Sequence, residues 1–262
     1  MSSEPSSLLV TGATSGIGQT VGRRFAERGW QVGLMDPDAE ALKAFADELP
    51  EPDRVLVRAL DPTDEEAVRE AMVDFAKHTG GCLHVLVNAA GVMHSGRFEE
   101  LGLDAHRAHV NGNLWAMLAV THAAFPLLRD TEGARVISIA SASSMYGTPD
   151  LASYSAAKAG VRSLTQALNL EWAHHDIHVC DVVPPYVDAP PDGESEASLP
   201  SRPRRRLAPD LTAADVAEVV EQAVREDRIH WPVGNQFRWI YRLSDVLPAS
   251  VVRLLMRYVS GF

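Results

Sequence analysis

Ser7-Leu8-Leu9-Val10-Thr11-Gly12-Ala13-Thr14-Ser15-Gly16-Ile17-Gly18 carries the reading of the fold. A short apolar run ends in a glycine-rich turn, and a helical pattern resumes at Gln19. Glycine has no Cβ, so the backbone can bend sharply there and approach a pyrophosphate, whose charge is met by amide groups and a helix N-terminus. The spacing is GxxxGxG rather than the GxGxxG fingerprint, so its place between a strand and a helix carries the weight.

Outward from this stretch the same alternation repeats. Gln31 to Met35, Arg54 to Leu60, Leu83 to Val87, Arg135 to Ile139 and His178 to Val183 read as strands, with longer segments of helical period between them. Strands this apolar have both faces covered, and right-handed strand–helix–strand connections then place a parallel sheet between two helical layers. The expectation is an α/β fold, a single-domain doubly wound parallel sheet (Rossmann-like) with helices on both faces, spanning residues 1–262. Its ligand belongs at the carboxyl ends of the strands. Asp188 to Pro209, rich in Pro, Ser, Glu and Arg and without a period, reads as a substrate flap, with a solvated insertion as the plain alternative. Residues 235–262 mix Trp239, Ile240, Leu243, Leu247, Val251, Leu254, Leu255 and Tyr258 with Arg238, Arg242, Arg253 and Arg257. They read first as a cover over the substrate cleft, with a subunit contact or peripheral membrane attachment as alternatives. Leu114 to Leu128 and Ala152 to Trp172 are apolar or small over much of their circumference, which predicts a second copy against them in a homo-oligomer, a dimer or a homotetramer.

Composition narrows the function. With 46% hydrophobic residues, 23% charged and a formal net charge of -11, the chain suits a large packed domain and a small-molecule partner rather than nucleic acid. Cys82 and Cys180 are too far apart for a CxxC motif and sit in apolar segments, as buried thiols in a reducing compartment do. No apolar run approaches the ~18 residues of a membrane span, and residues 1–7 lack a signal pattern, so no integral membrane contact and a cytoplasmic location are expected.

At the glycine loop the chain resembles the short-chain dehydrogenase/reductase family, whose TGxxxGxG pattern stands here as Thr11, Gly12, Gly16 and Gly18. Other marks follow in order: Asn88-Ala89-Ala90-Gly91 after the fourth strand, Ser141 after the fifth, and Tyr154-Ser155-Ala156-Ala157-Lys158 opening a helix. The resemblance spans roughly Leu8 to Val187. It implies an NAD-dependent short-chain alcohol dehydrogenase or carbonyl reductase, moving a hydride between nicotinamide and a secondary alcohol or ketone. Cofactor contacts would come from Gly12, Ser15, Gly16, Ile17, Gly18, Asn88, Gly91, Pro184 and Val187, with Tyr154 and Lys158 at the nicotinamide end. Asp61 would meet the adenine amino group, although Asp61-Pro62-Thr63-Asp64 by itself reads as a turn and an N-cap.

The choice of NAD rests on Asp36, at the end of Gly33-Leu34-Met35-Asp36. A carboxylate there can accept hydrogen bonds from both ribose hydroxyls and would repel a 2′-phosphate. No Arg or Lys occupies 37–41, and Ser15 stands where a basic residue could have supported that phosphate. A turn or helix-cap role before Pro37 is the plain alternative.

Tyr154 and Lys158, one helical turn apart, project from the same face. A phenol with an ordinary pKa near ~10 is a poor base at neutral pH, and a nearby ammonium favours the phenolate. By resemblance, Ser141 holds the substrate oxygen while Tyr154 exchanges the proton, and an asparagine anchors a water that relays protons from Lys158. Asn113, counted back from Pro126, fits that place, with Asn111 as the other register. His94, Ser143, Met145, Tyr146 and Tyr186 are expected on the substrate side, facing a fairly bulky hydrophobic alcohol or ketone. The chain departs from the family at Pro184-Pro185-Tyr186-Val187-Asp188-Ala189, where Pro-Gly and a later Thr are usual. The amide of Val187 is left to bind the carboxamide.

Ten histidines, with His106 and His109 on one helix face, invite a metal reading, but no HExxH or Cys/His cluster accompanies them and none is expected. Two other functions remain open: an NAD-binding sensor or scaffold without turnover, and an epimerase or lyase on the same scaffold.

Overall fold

The structure, a computed structural model, describes residues 6–185, 211–244 and 247–260. The flap expected over 188–209 and the expected site residues Tyr186 and Val187 lie outside the described residues, as does Ala189.

The first half runs β1 (Ser7–Thr11), α1 (Gly16–Ala26), β2 (Gln31–Asp36), α2 (Ala39–Asp47), β3 (Val55–Ala59), α3 (Glu65–Thr79) and β4 (Val85–Asn88). It continues through α4 (Leu103–Val110), α5 (Ala116–Arg129), β5 (Arg135–Ile139), α6 (Ala152–Glu171) and β6 (His178–Val183). After the undescribed stretch come α7 (Ala213–Ala223), β7 (His230–Pro232), α8 (Asn235–Ser244) and α9 (Ala249–Ser260). The strands form one parallel sheet in the order β3-β2-β1-β4-β5-β6-β7, so the order reverses between β1 and β4. That reversal opens a crevice at the strands' carboxyl ends, where Thr11 pairs with Asn88.

Alternation along each strand sends successive side chains to opposite faces. Leu8 and Val10 join Val21, Phe25, Leu42, Phe45, Val216 and Val220 under α1, α2 and α7. Leu9, Met35 and Leu86 join Val68, Met72, Phe75, Val120 and Leu128 under α3 and α5. Caps fix the helix starts. Ser15 accepts from Gly18 N, Asp38 from Glu40 and Ala41 N, and Asp64 from Glu66 and Ala67 N.

Six strands are legible in the sequence. The seventh is three residues long and contains Pro232, which suits an edge that needs no further donor and hides it from pattern reading. It is tied in by polar contact: His230 Nδ1 lies 2.9 Å from the Oδ1 of Asp181, a fully buried β6 carboxylate.

Gly33, inside β2, marks a tight approach. A Cβ there would lie 2.5 Å from Leu9 Cδ1 and 2.7 Å from the ring of the fully buried Phe75. Gly33→Ala is therefore expected to lower unfolding free energy by about 1–3 kcal/mol in urea melts, the usual cost of overpacking. Equal or higher stability would show that the α3 side of the sheet gives way freely.

Candidate active site

Four chain segments meet at the crevice. The first is the turn after β1. Gly12 has φ of +65°, and a Cβ on it would fall 2.7 Å from both Cα and N of Ala90. A Cβ on Gly18 would fall 2.0 Å from the Gly12 carbonyl oxygen. Ser15 Oγ donates to that carbonyl at 2.7 Å and accepts from Gly18 N at 3.1 Å, closing the turn onto the first turn of α1. The result is a backbone-lined cradle at a helix N-terminus, suited to a pyrophosphate.

The second segment is the end of β2. Asp36 is buried, and its oxygens accept from Thr14 N at 3.1 Å and Asp38 N at 3.1 Å. It thus fastens the glycine turn to β2, a task that its reading as a ribose ligand did not include, and the cap of α2 is Asp38. Asp61 is exposed and accepts from Thr63 N and Oγ1, both at 2.8 Å, as the plain turn reading of that sequence requires.

The third segment follows β4. Asn88, expected at the cofactor, is buried, and its Nδ2 donates to Thr121 Oγ1 at 3.0 Å. Two residues down the chain, Ala90 N donates to Thr11 Oγ1 at 3.3 Å. Gly91 is needed for space, since a Cβ would meet Asn113 Oδ1 at 2.6 Å.

The fourth segment joins α4 to α6. A π-helical turn over Asn111–Trp115 separates α4 from α5 and turns Asn113 inward, buried, while Asn111 is left exposed. Of the two asparagine registers, Asn113 is the one on the Lys158 side. Asn113 Nδ2 donates to Val92 O at 2.8 Å and His109 O at 2.9 Å, and its Oδ1 has no protein partner among the described residues. Lys158 is also buried, and its Nζ donates to the Ile139 carbonyl at 2.7 Å. Asn113, Lys158, Thr11, Asn88 and Ser138 share the wall of a cavity of about 10 Å³, the room and polarity one water needs. Ser141, two residues beyond β5, is in extended backbone and is hydrogen-bonded to Tyr154. Ser143 Oγ accepts from Thr148 Oγ1 at 3.2 Å, and Met145 packs with Phe237 and Tyr241 of α8.

The family model for short chain dehydrogenases matches residues 6–199. The chain belongs to the short-chain dehydrogenase family. Among similar proteins, a cyclohexanol dehydrogenase of Acinetobacter sp. is 31% identical over 232 residues, covering 87% of this chain and 91% of that protein. A Brucella melitensis 3-ketoacyl-(acyl-carrier-protein) reductase, solved with NADH, superimposes with a TM-score of 0.77 at 25% identity, over 88% of this chain and 97% of that one. An actinorhodin polyketide ketoreductase, solved with NADPH, does so with a TM-score of 0.77 at 28% identity, over 89% and 97%. Members of this family are oxidoreductases that use a nicotinamide dinucleotide, and the glycine cradle fits one.

For a short-chain dehydrogenase the resting electrostatics depart from the sequence expectation. Burial raises the Tyr154 phenol above the ordinary tyrosine value, and its hydrogen bond with Ser141 only partly opposes this. The expected lowering by Lys158 is not what the structure shows. Lys158 Nζ is 5.8 Å from the Tyr154 ring centroid and committed to a carbonyl, and burial lowers its own pKa to about 8. Sequence reasoning did not reach Ile139, because a backbone acceptor leaves no mark in residue type.

Among the described residues no group of three or more His, Cys, Asp or Glu is placed to hold a metal, and no helix is long and apolar enough to cross a membrane. The inner face of α8 covers the Met145 side, while Trp239 and Leu243 remain exposed.

Gly18→Ala is expected to weaken NADH binding about tenfold or more, through strain on the order of 1–3 kcal/mol in the cradle. Fluorescence titration reads this. Unchanged affinity would mean that the turn is not the pyrophosphate seat.

Proposed function

We propose that this chain is an NAD-dependent dehydrogenase that interconverts a fairly bulky, hydrophobic secondary alcohol and its ketone in the cytoplasm, as one domain working in a homo-oligomer. The observation that carries the proposal is the Ser141–Tyr154 hydrogen bond, one turn along α6 from a buried Lys158 that faces Asn113.

Each residue then has a task. Ser141 Oγ holds the substrate oxygen, and Tyr154 gives its phenolic proton to a ketone oxygen or takes one from an alcohol. The nicotinamide, when bound, supplies or accepts the hydride. Lys158 and Asn113 return the proton to or from solvent through the small cavity between them.

NAD is favoured over NADP by the Asp36 carboxylate at the end of β2 and by the lack of Arg or Lys at 37–41. A 2′-phosphate would meet a buried carboxylate and no compensating cation. The hydrophobic substrate is supported by the apolar Met145 and Phe237 contact and by the likeness to a cyclohexanol dehydrogenase. Trp115 and Leu170, 42% and 77% exposed on the helices facing away from the sheet, support a second copy there.

Turnover of a graded panel of secondary alcohols with NAD, followed by reduced-nicotinamide absorbance, tests the reading. NAD should outperform NADP by on the order of a hundredfold. Tyr154→Phe should lower kcat about 10²–10⁴-fold while NADH still binds. A Tyr154→Phe protein with wild-type turnover, or one that prefers small polyols, would refute it.

The pH dependence follows from the raised Tyr154 value. The phenol stays protonated through neutral pH, which suits ketone reduction, whereas alcohol oxidation needs the deprotonated form and so gains as pH rises. From neutral pH upward, oxidation should therefore increase, while reduction should decrease only as pH approaches the raised tyrosine value. The opposite slopes would remove Tyr154 from the proton path.

A further inference from the structure

Beside Tyr154, and outside the Ser141, Tyr154, Lys158 and Asn113 group, runs a series of hydrogen bonds whose direction can be worked out atom by atom. The backbone N–H of His94 ends on His109 Nε2, at 2.8 Å. A backbone amide can only donate, so Nε2 carries no proton and the ring hydrogen sits on Nδ1. That Nδ1 is 2.8 Å from Ser153 Oγ and donates to it. Ser153 Oγ is also 2.8 Å from His106 Nδ1, so the hydroxyl turns its own hydrogen there. His106 then keeps its hydrogen on Nε2, which faces the Phe98 carbonyl at 3.1 Å. Every donor finds an acceptor, and only one pair of histidine tautomers satisfies the run.

We propose that His109, held as the neutral Nδ1–H tautomer, is a positioning residue for the dehydrogenase reaction: it fastens the substrate-side segment 91–96 to the catalytic helix α6 beside Tyr154. The inference rests on the reading under Proposed function.

Several contacts converge on this side chain. It is fully buried, and its ring meets the Tyr154 ring edge-on, with centroids 6.0 Å apart and planes at 73°. Ser153, its partner, is the residue before Tyr154. The His109 carbonyl accepts from Asn113 Nδ2, and the same amide group donates to Val92 O, two residues before His94. Segment 91–96 is thus held from beneath at Val92 and His94, and at its far end Gly96 N donates to Asp150 O at 2.9 Å. The exposed His94 is carried at its centre, where a substrate entering beside Tyr154 would pass.

The groups facing His109 are His94 from the segment, His106 from its own helix, and Tyr154 from α6, with Lys158 a turn further along behind Asn113. A second proton on His109 would set Nε2–H against the His94 amide hydrogen. Burial, then the neighbouring His94 and His106, hold its pKa below the usual histidine value, which agrees with the neutral form drawn here. Sequence inspection groups His106 with His109 by their spacing. Only the structure shows that Ser153 joins them.

The test uses the full chain with two readouts, one independent of turnover. Long-range ¹H–¹⁵N correlation spectra of ¹⁵N-histidine-labelled protein at neutral pH should contain a histidine in the Nδ1–H tautomer that disappears in His109→Leu. With NAD and cyclohexanol as the assay pair, His109→Leu should lower kcat on the order of a hundredfold, as a small misplacement of reacting groups does. Its NADH affinity should stay within about twofold of wild type. His109→Gln, which keeps an acceptor within reach of the His94 amide, should recover part of the loss. Ser153→Ala, which removes the His109 link to α6 but leaves the His94 amide on Nε2, should keep the Nδ1–H tautomer and lower kcat less, and it serves if His109→Leu does not fold. The proposal is overturned if His109 is found as the Nε2–H or charged form, or if folded His109→Leu and Ser153→Ala both keep wild-type kcat. A wild-type chain that shows the Nδ1–H signal but oxidises no alcohol in the panel would refute the dehydrogenase reading, and the catalytic role of His109 with it.

Discussion

A buried ammonium is the constraint around which this crevice is built. Lys158 lies beneath the surface with its Nζ on one backbone carbonyl, that of Ile139, and removing a charge from water costs several kcal/mol unless neighbours compensate. The lowering of its pKa to about 8 records the part of that cost left uncompensated. What compensation exists comes from three places that sequence keeps far apart: the end of β5, the π-helical turn that aims Asn113 inward, and Gly91, whose lack of a side chain keeps the Asn113 oxygen and the ammonium in view of each other. Helix α6, pinned to β6 by Asn169 Nδ2 on Val179 O at 2.9 Å, holds the lysine to that address.

The same crevice requires two turns to approach more closely than side chains permit. Gly12 meets Ala90 across the point where strand order reverses, and Thr11 and Asn88 brace the two sides beneath it. The cradle and the proton-handling groups are therefore one construction: the turn after β4 borders the cradle with Ala90 and Asn113 with Gly91. A shift at either glycine would be felt at both ends of a bound dinucleotide.

Much of this was legible in the chain. Six strands are apolar enough to read directly, and the glycine turn, Ser141, Tyr154 and Lys158 are carried by residue type and spacing. Other features depend on contacts that a one-dimensional pattern does not hold. The seventh strand is too short and contains proline. Ile139 acts through its carbonyl. Asp36 serves the main chain of the glycine turn as well as facing the crevice, and the Asn88 amide group is engaged by Thr121. The direction of the Tyr154 shift is not legible in the chain, because spacing along a helix gives the direction of two side chains but not their burial. Here burial raises the Tyr154 phenol, and the hydrogen bond with Ser141 opposes it only in part.

The most direct measurement is a crystal structure of the chain grown with saturating NADH. It is expected to show the pyrophosphate on the amides of Gly12 to Gly18 and the nicotinamide ribose in hydrogen-bond contact with Lys158 and Tyr154. A dinucleotide seated elsewhere, or one in this crevice that leaves Lys158 bound to Ile139 alone, would contradict the central claim that the buried ammonium serves the cofactor and the tyrosine.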